Sequence, residues 1–173
     1  DGFSHFLLLD NGFTPRQAGR IAQRLVEIET YRVMALLAFP VAKEVGRLVS
    51  RAEDELADLM DGMGQSRSAE DDRAVLNRLS RLAAEVERSV ARTTFRFGAA
   101  GAYYRLVRQR IDDLREQRLP GFSPIGEFMD RRLVPAIDTC TSIARRQDDL
   151  SGRIARNSQL LRTRVDIEIE RQN

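Results

Sequence analysis

The chain has one cysteine, one histidine and no tryptophan among its 173 residues, and each shortage removes a class of function. A single thiol, Cys140, cannot close an internal disulfide, so nothing demands an oxidising compartment. One histidine, His5, cannot build a Cys/His metal cluster. A Cys140 nucleophile would need a histidine base, and Cys140 falls instead on an apolar seam where it reads as a small buried hydrophobe. The Glu-x-x-His pairs of diiron bundles are missing, as are Gly-rich phosphate loops and the Walker pattern. No apolar run reaches the ~18 residues that a membrane span needs; the nearest, Val33–Ala42, is interrupted by Pro40. Aromatics are only 6% of the chain, so a core has to come from Leu, Ile, Val and Ala. An excess of one charge is lacking too. The 28 basic and 26 acidic side chains leave a net +2 and are interspersed, which disfavours nucleic acid as a partner. These residues support no catalytic, cofactor-binding or metal-binding assignment, and the chain reads as non-enzymatic.

What is present is a heptad pattern over almost the whole length. Apolar positions alternate at spacings of four and three in three stretches, about 15–61, 69–119 and 124–170. That period specifies helices with coiled-coil-like packing. Short connections at Asp61–Arg67 and Pro120–Phe122 impose an up-down-up order. The expected fold is all-α, a long antiparallel three-helix bundle over 14–173 with helices on the order of 70 Å long, preceded by a short extended segment over 1–13. Start signals are explicit. Thr14 and Gln17 form a capping box with Pro15 at the first helical position, Ser68 caps the second helix with Asp71 three residues on, and Ser123-Pro124 opens the third. Pro40 and Pro135 should bend their helices. Phe3–Leu9 reads as a short strand closed by the turn Asp10-Asn11-Gly12. Nothing else here is strand-like, so its partner is expected in an upstream domain; the start without Met and the end inside a helical pattern lead to the expectation of an excised middle fragment.

Counting along the helices sets levels. Val33–Phe39 falls beside the small-residue stretch Phe97–Ala102 and, being apolar on nearly every face, should be buried all round. Arg32 should lie near Tyr103 or Tyr104, and Glu53 should pair with Arg81 or Arg162. Arg32, Glu53, Gln147 and Asn157 interrupt the apolar seams as register-setting groups. Basic side chains at Arg105, Arg108 and Arg110, at Arg131-Arg132 and at Arg145-Arg146 suggest a stripe for anionic lipid or RNA, but acids such as Asp112-Asp113 and Asp148-Asp149 are interleaved and favour a salt-bridged solvent face. An apolar excess at Val33–Ala42, more than two neighbouring helices can cover, points to homo-oligomeric or other protein contact.

Several stretches carry a resemblance. Ala18-Gly19-Arg20, Glu27-Ile28-Glu29-Thr30-Tyr31-Arg32, Ala35-Leu36-Leu37-Ala38-Phe39-Pro40, Phe95-Arg96-Phe97-Gly98-Ala99-Ala100, Glu127-Phe128-Met129-Asp130-Arg131-Arg132-Leu133 and Leu160-Leu161-Arg162-Thr163-Arg164-Val165-Asp166-Ile167 are similar, in order, to bacterial domain of unknown function family 3422. That resemblance implies a membrane-anchored parent with an N-terminal domain before Asp1 and membrane-spanning helices after Asn173. The unbroken heptads and the lack of a catalytic constellation, taken with such an anchor, lead to the expectation of a scaffold or oligomerisation stalk at the bacterial inner membrane, facing the cytoplasm. The resemblance brings no reaction, substrate or cofactor. Two other functions stay open beside the scaffold: a salt-sensitive binder of anionic lipid or RNA, and a support for an enzymatic domain outside the fragment.

Overall fold

A computed structural model describes residues 4–65 and 68–172. The described residues form an all-α fold of four helices without strands: α1 (Pro15–Leu36), α2 (Ala38–Gln65), α3 (Ala69–Leu114) and α4 (Ile125–Gln172). The first heptad stretch is thus divided at Leu37, three residues before Pro40. The offset has a simple cause. Proline has no N–H to offer the carbonyl four residues back, and its ring crowds that carbonyl. The affected group is that of Leu36, where α1 stops. Pro135 lies inside α4 without ending it.

The ends of the helices are where sequence and structure differ most. Thr14 and Gln17 make the expected capping box, with Pro15 opening α1, and Ser68 Oγ accepts from Asp71 N at 3.1 Å. The expected loop from Asp61 is helical as far as Gln65; Ser66 and Arg67 lie outside the described residues. α3 stops at Leu114, short of the expected Leu119, because Arg115 turns into the left-handed region at φ 52°. α4 begins at Ile125, one residue later than its proline suggests, and the caps come from elsewhere. Glu116 accepts from the backbone N–H of Ile125 and, at 3.0 Å, from that of Gly126. Ser123 Oγ instead accepts from Arg131.

Residues 4–10 carry no regular structure, so the strand expected at Phe3–Leu9 is not formed; Phe3 itself lies outside the described residues. A strand needs a neighbour to take its hydrogen bonds, and the described residues offer none. The segment is held at Ser4, whose hydroxyl donates to Glu29 at 2.6 Å. The turn does form: Asp10 Oδ1 accepts from the backbone of Gly12 and Phe13, with Gly12 at φ 105°.

The helices contribute to two compact units, residues 1–40 with 96–140 and residues 41–95 with 141–173. In the first, Ile28 and Ala35 of α1, Val107 and Ile111 of α3, and Met129 and Leu133 of α4 make one core, with Tyr31 stacked on Tyr103 at 5.9 Å between centroids. The ion pairs Arg110–Glu27 and Arg108–Asp130 set its register, with α3 antiparallel to both α1 and α4. In the second, Val49 and Leu56 of α2, Leu79 and Val86 of α3, and Leu150 and Ile154 of α4 are almost fully buried. Each large side chain removed from water in these cores stabilises by roughly 1.5–3 kcal/mol. Gly46 sets the approach of α2 to α4, since a Cβ there would lie 3.1 Å from Ile143 Cδ1.

Candidate functional site

The arginines singled out as a stripe are mostly engaged in the first unit. Arg108 pairs with Asp130 at 2.5 Å, and Arg110 with Glu27 and Asp113. Arg131 reaches Glu127 and Ser123, and Arg132 lies 4.6 Å from the centre of the Phe128 ring. Arg108, Arg110 and Arg131 thus meet acids, and of the interleaved acids named from the sequence Asp113 takes part. The Tyr104 hydroxyl, donating to Asp130 at 3.2 Å, is pushed above its usual range by burial and by that carboxylate. Arg32, expected beside Tyr103 or Tyr104, is held by Glu29 three residues back, and it is Tyr31 that meets Tyr103.

In the second unit Glu53 is paired with Arg146 and not with the expected Arg81 or Arg162. The pair is bidentate, Nε to Oε1 at 3.1 Å and Nη2 to Oε2 at 2.5 Å, and Nη2 also donates to Ser50 Oγ at 2.9 Å. Counting misplaced the level of α4 because the chain spends Arg115–Pro124 outside any helix. The bond to Arg146, aided by that cation's charge, holds the Glu53 carboxyl below its ordinary range.

Beside this pair lies a basic row that inspection of adjacent arginine pairs overlooks. Lys43, Arg47 and Arg51 stand four residues apart on α2, all exposed, hence stacked on one face at about 6 Å per step. Together with Arg146 they line a groove of about 830 Å³ between α2 and α4. Its acidic lining residue, Glu44, reaches away to Arg92 at 3.7 Å, and Glu55 is taken by Arg78 at 3.4 Å. Arg47 and Arg51 make no ion pair among the described residues. Like charges at this spacing destabilise a helix by roughly 0.2–0.5 kcal/mol per pair. The signal was present in the sequence as a basic residue at every fourth position from 43 to 51.

A second exposed feature belongs to α1. Val26, Val33 and Leu37 are 62%, 44% and 52% exposed, and Met34 is 39% exposed. The burial expected on every side of Val33–Ala42 is therefore found for Ala35, Ala38 and Ala42 but not for these larger side chains. With Thr30, the exposed positions 26, 30 and 33 on the side of α1 opposite its buried seam, and 37 at its C-cap, repeat the four-three-four spacing of the buried seams.

Cys140 is buried and its thiol is pushed upward by that burial. Among the described residues no group of three or more His, Cys, Asp or Glu side chains is placed to hold a metal ion. No helix among them is long and apolar enough to cross a membrane.

No curated protein and no solved structure matches the chain. A family does, along residues 1–173, and the chain belongs to it: the family described as "Protein of unknown function (DUF3422)".

Proposed function

We propose that the chain is a non-enzymatic helical scaffold that pairs with a second copy of itself through the exposed face of α1. The observation that carries this reading is the outward seam Val26–Thr30–Val33–Leu37, flanked by Met34. Large apolar side chains in heptad spacing on a solvent face are the pattern by which one helix packs against another. A second copy supplies the same pattern, and a two-fold axis lets each Val33 and Leu37 meet its equivalents. The buried Cys140 thiol, with the lone histidine far from it in sequence, fits a chain that performs no chemistry of its own. In this reading the scaffold serves a membrane-anchored protein at the inner membrane and faces the cytoplasm; the anchor rests on the resemblance, and the location is part of the proposal.

Light scattering across a concentration series tests the pairing. The expected mass rises toward twice the 19.7 kDa of one chain. A mass that stays at one chain up to the highest soluble concentration rules it out.

A further inference from the structure

We infer that the cleft where α1 runs past the end of α3 binds a small monocarboxylate with an apolar body. The inference is independent of the pairing through α1, since no residue of the Val26–Leu37 seam lines this cleft.

The cleft has a cause in the chain. α3 runs antiparallel to α1 and stops at Leu114, where Arg115 turns into the left-handed region. The apolar seam of α1 continues beyond that end toward Pro15, so Ile21 lies in the cleft with Leu114 and has no further turn of α3 to cover it. Phe13, 42% exposed, adds an aromatic wall. The cavity measures about 310 Å³, the small end of the range for ligand pockets, so it suits a short body.

The polar groups converge from one face of α1. Gln17, Arg20 and Arg24 stand three and four residues apart, and all three line the cavity. The amide oxygen of Gln17 accepts from Thr14 N and Oγ1, each at 2.9 Å, which holds the side chain and leaves its amide N–H groups to donate. Arg24 comes only to 3.9 Å from Asp113, beyond hydrogen-bond reach, so its N–H donors are unspent. Asp113 lies nearer to Arg110, at 3.5 Å, and Arg110 also meets Glu27. Those two arginines and two carboxylates balance one another. Arg20 pairs with nothing among the described residues, and no carboxylate lines the cavity. One uncompensated positive charge selects a monoanion. The apolar walls select an anion that carries an apolar body over a bare inorganic one. Among such ions a carboxylate is the one whose two oxygens meet a planar guanidinium through two parallel N–H bonds.

Titration of the whole nitrogen-labelled chain with phenylacetate, read from amide chemical shifts, tests this. The expected result is saturable movement of the Ile21 and Leu114 amides. Phenethyl alcohol, which lacks the charge, and acetate, which lacks the apolar body, should each bind at least about tenfold more weakly. Arg20→Gln should weaken phenylacetate binding by roughly ten- to a hundred-fold, the worth of a charged hydrogen bond. Arg16→Gln, one turn earlier on α1 and outside the cavity, should leave it unchanged. No saturable movement overturns the inference. So does equal binding of the alcohol, because apolar contact alone would then suffice. Wild-type binding by Arg20→Gln, or an equal loss in Arg16→Gln, overturns it too. The amide spectrum of each variant checks its fold; both positions are exposed, and Gln matches Arg in helix propensity.

Discussion

Gln147 donates from its Nε2 to Ser89 Oγ across 2.8 Å in the core of the second unit, where Gln147 is 2% exposed. Thr93 Oγ1 lies 3.2 Å from the other end of the same amide, and also within bonding distance of the Ser89 carbonyl. Two helices thus share a small polar layer inside apolar neighbours, and the layer can form in only one register. Breaking it at one point leaves a buried amide donor without a partner, which costs about 1–3 kcal/mol. Ser89→Ala should therefore lower unfolding stability by that amount in urea titration. Replacing the whole layer by Ser89→Ala, Thr93→Val and Gln147→Leu together should cost less than the single change. A triple variant that loses more than Ser89→Ala would contradict this account of the layer.

The Glu53–Arg146 pair makes a pH prediction. Glu53 is held below its ordinary carboxyl value of 4.5 in the folded chain, so the folded state takes up that proton less readily than the unfolded state. The resulting stability is fully present above the ordinary carboxylate range and disappears as pH falls through the lowered folded value. Glu53→Gln should be less stable than wild type at neutral pH, with the two curves converging in acid. Curves that stay parallel down to the acid limit would show that the pair contributes nothing.

Arg115 ends α3 at φ 52°, a conformation that costs an L side chain about 1 kcal/mol and costs glycine almost nothing. Arg115→Gly should raise the midpoint of thermal unfolding slightly, by the equivalent of up to about 0.5 kcal/mol after allowing for glycine's freer unfolded chain. Arg115→Ala, which keeps the strain, should not.

Glu116 caps α4 from across the connection by accepting from the N–H groups of Ile125 and Gly126. Loss of a helix-capping acceptor costs about 0.5–2 kcal/mol. Glu116→Ala should fall in that range, with the fastest hydrogen exchange gained at Ile125 and Gly126. Unchanged exchange at those two amides would remove Glu116 from this role.

These positions also show what the sequence displays and what it hides. The seams were legible because burial imposes a period: Leu56, Leu79, Cys140 and Leu161 all fall where four-three counting puts them, and all are buried. The Thr14 and Ser68 caps were legible because a cap is local in sequence. The end of α3 was not, since an arginine in the left-handed region carries no glycine to announce it. The Glu116 cap and the Arg146 partner of Glu53 depend on contacts 9 and 93 residues apart, which no local pattern encodes. The basic row on α2 was encoded at every fourth residue, a spacing that gathers on one face of a helix but forms no cluster along the sequence. The outward seam on α1 was read correctly as an apolar excess and wrongly as fully buried.

The central claim, a scaffold that pairs through α1, is tested most directly by sedimentation equilibrium of wild type beside Val33→Glu/Leu37→Glu. Both positions are already half exposed, so the substitutions leave the fold intact in a single chain. In a paired seam they place four like charges in an apolar contact, which should weaken association by at least a hundred-fold. The account predicts a reversible dimer for wild type and a monomer with unchanged helix content for the variant. A wild-type monomer, or a variant that dimerises as well as wild type, would contradict it.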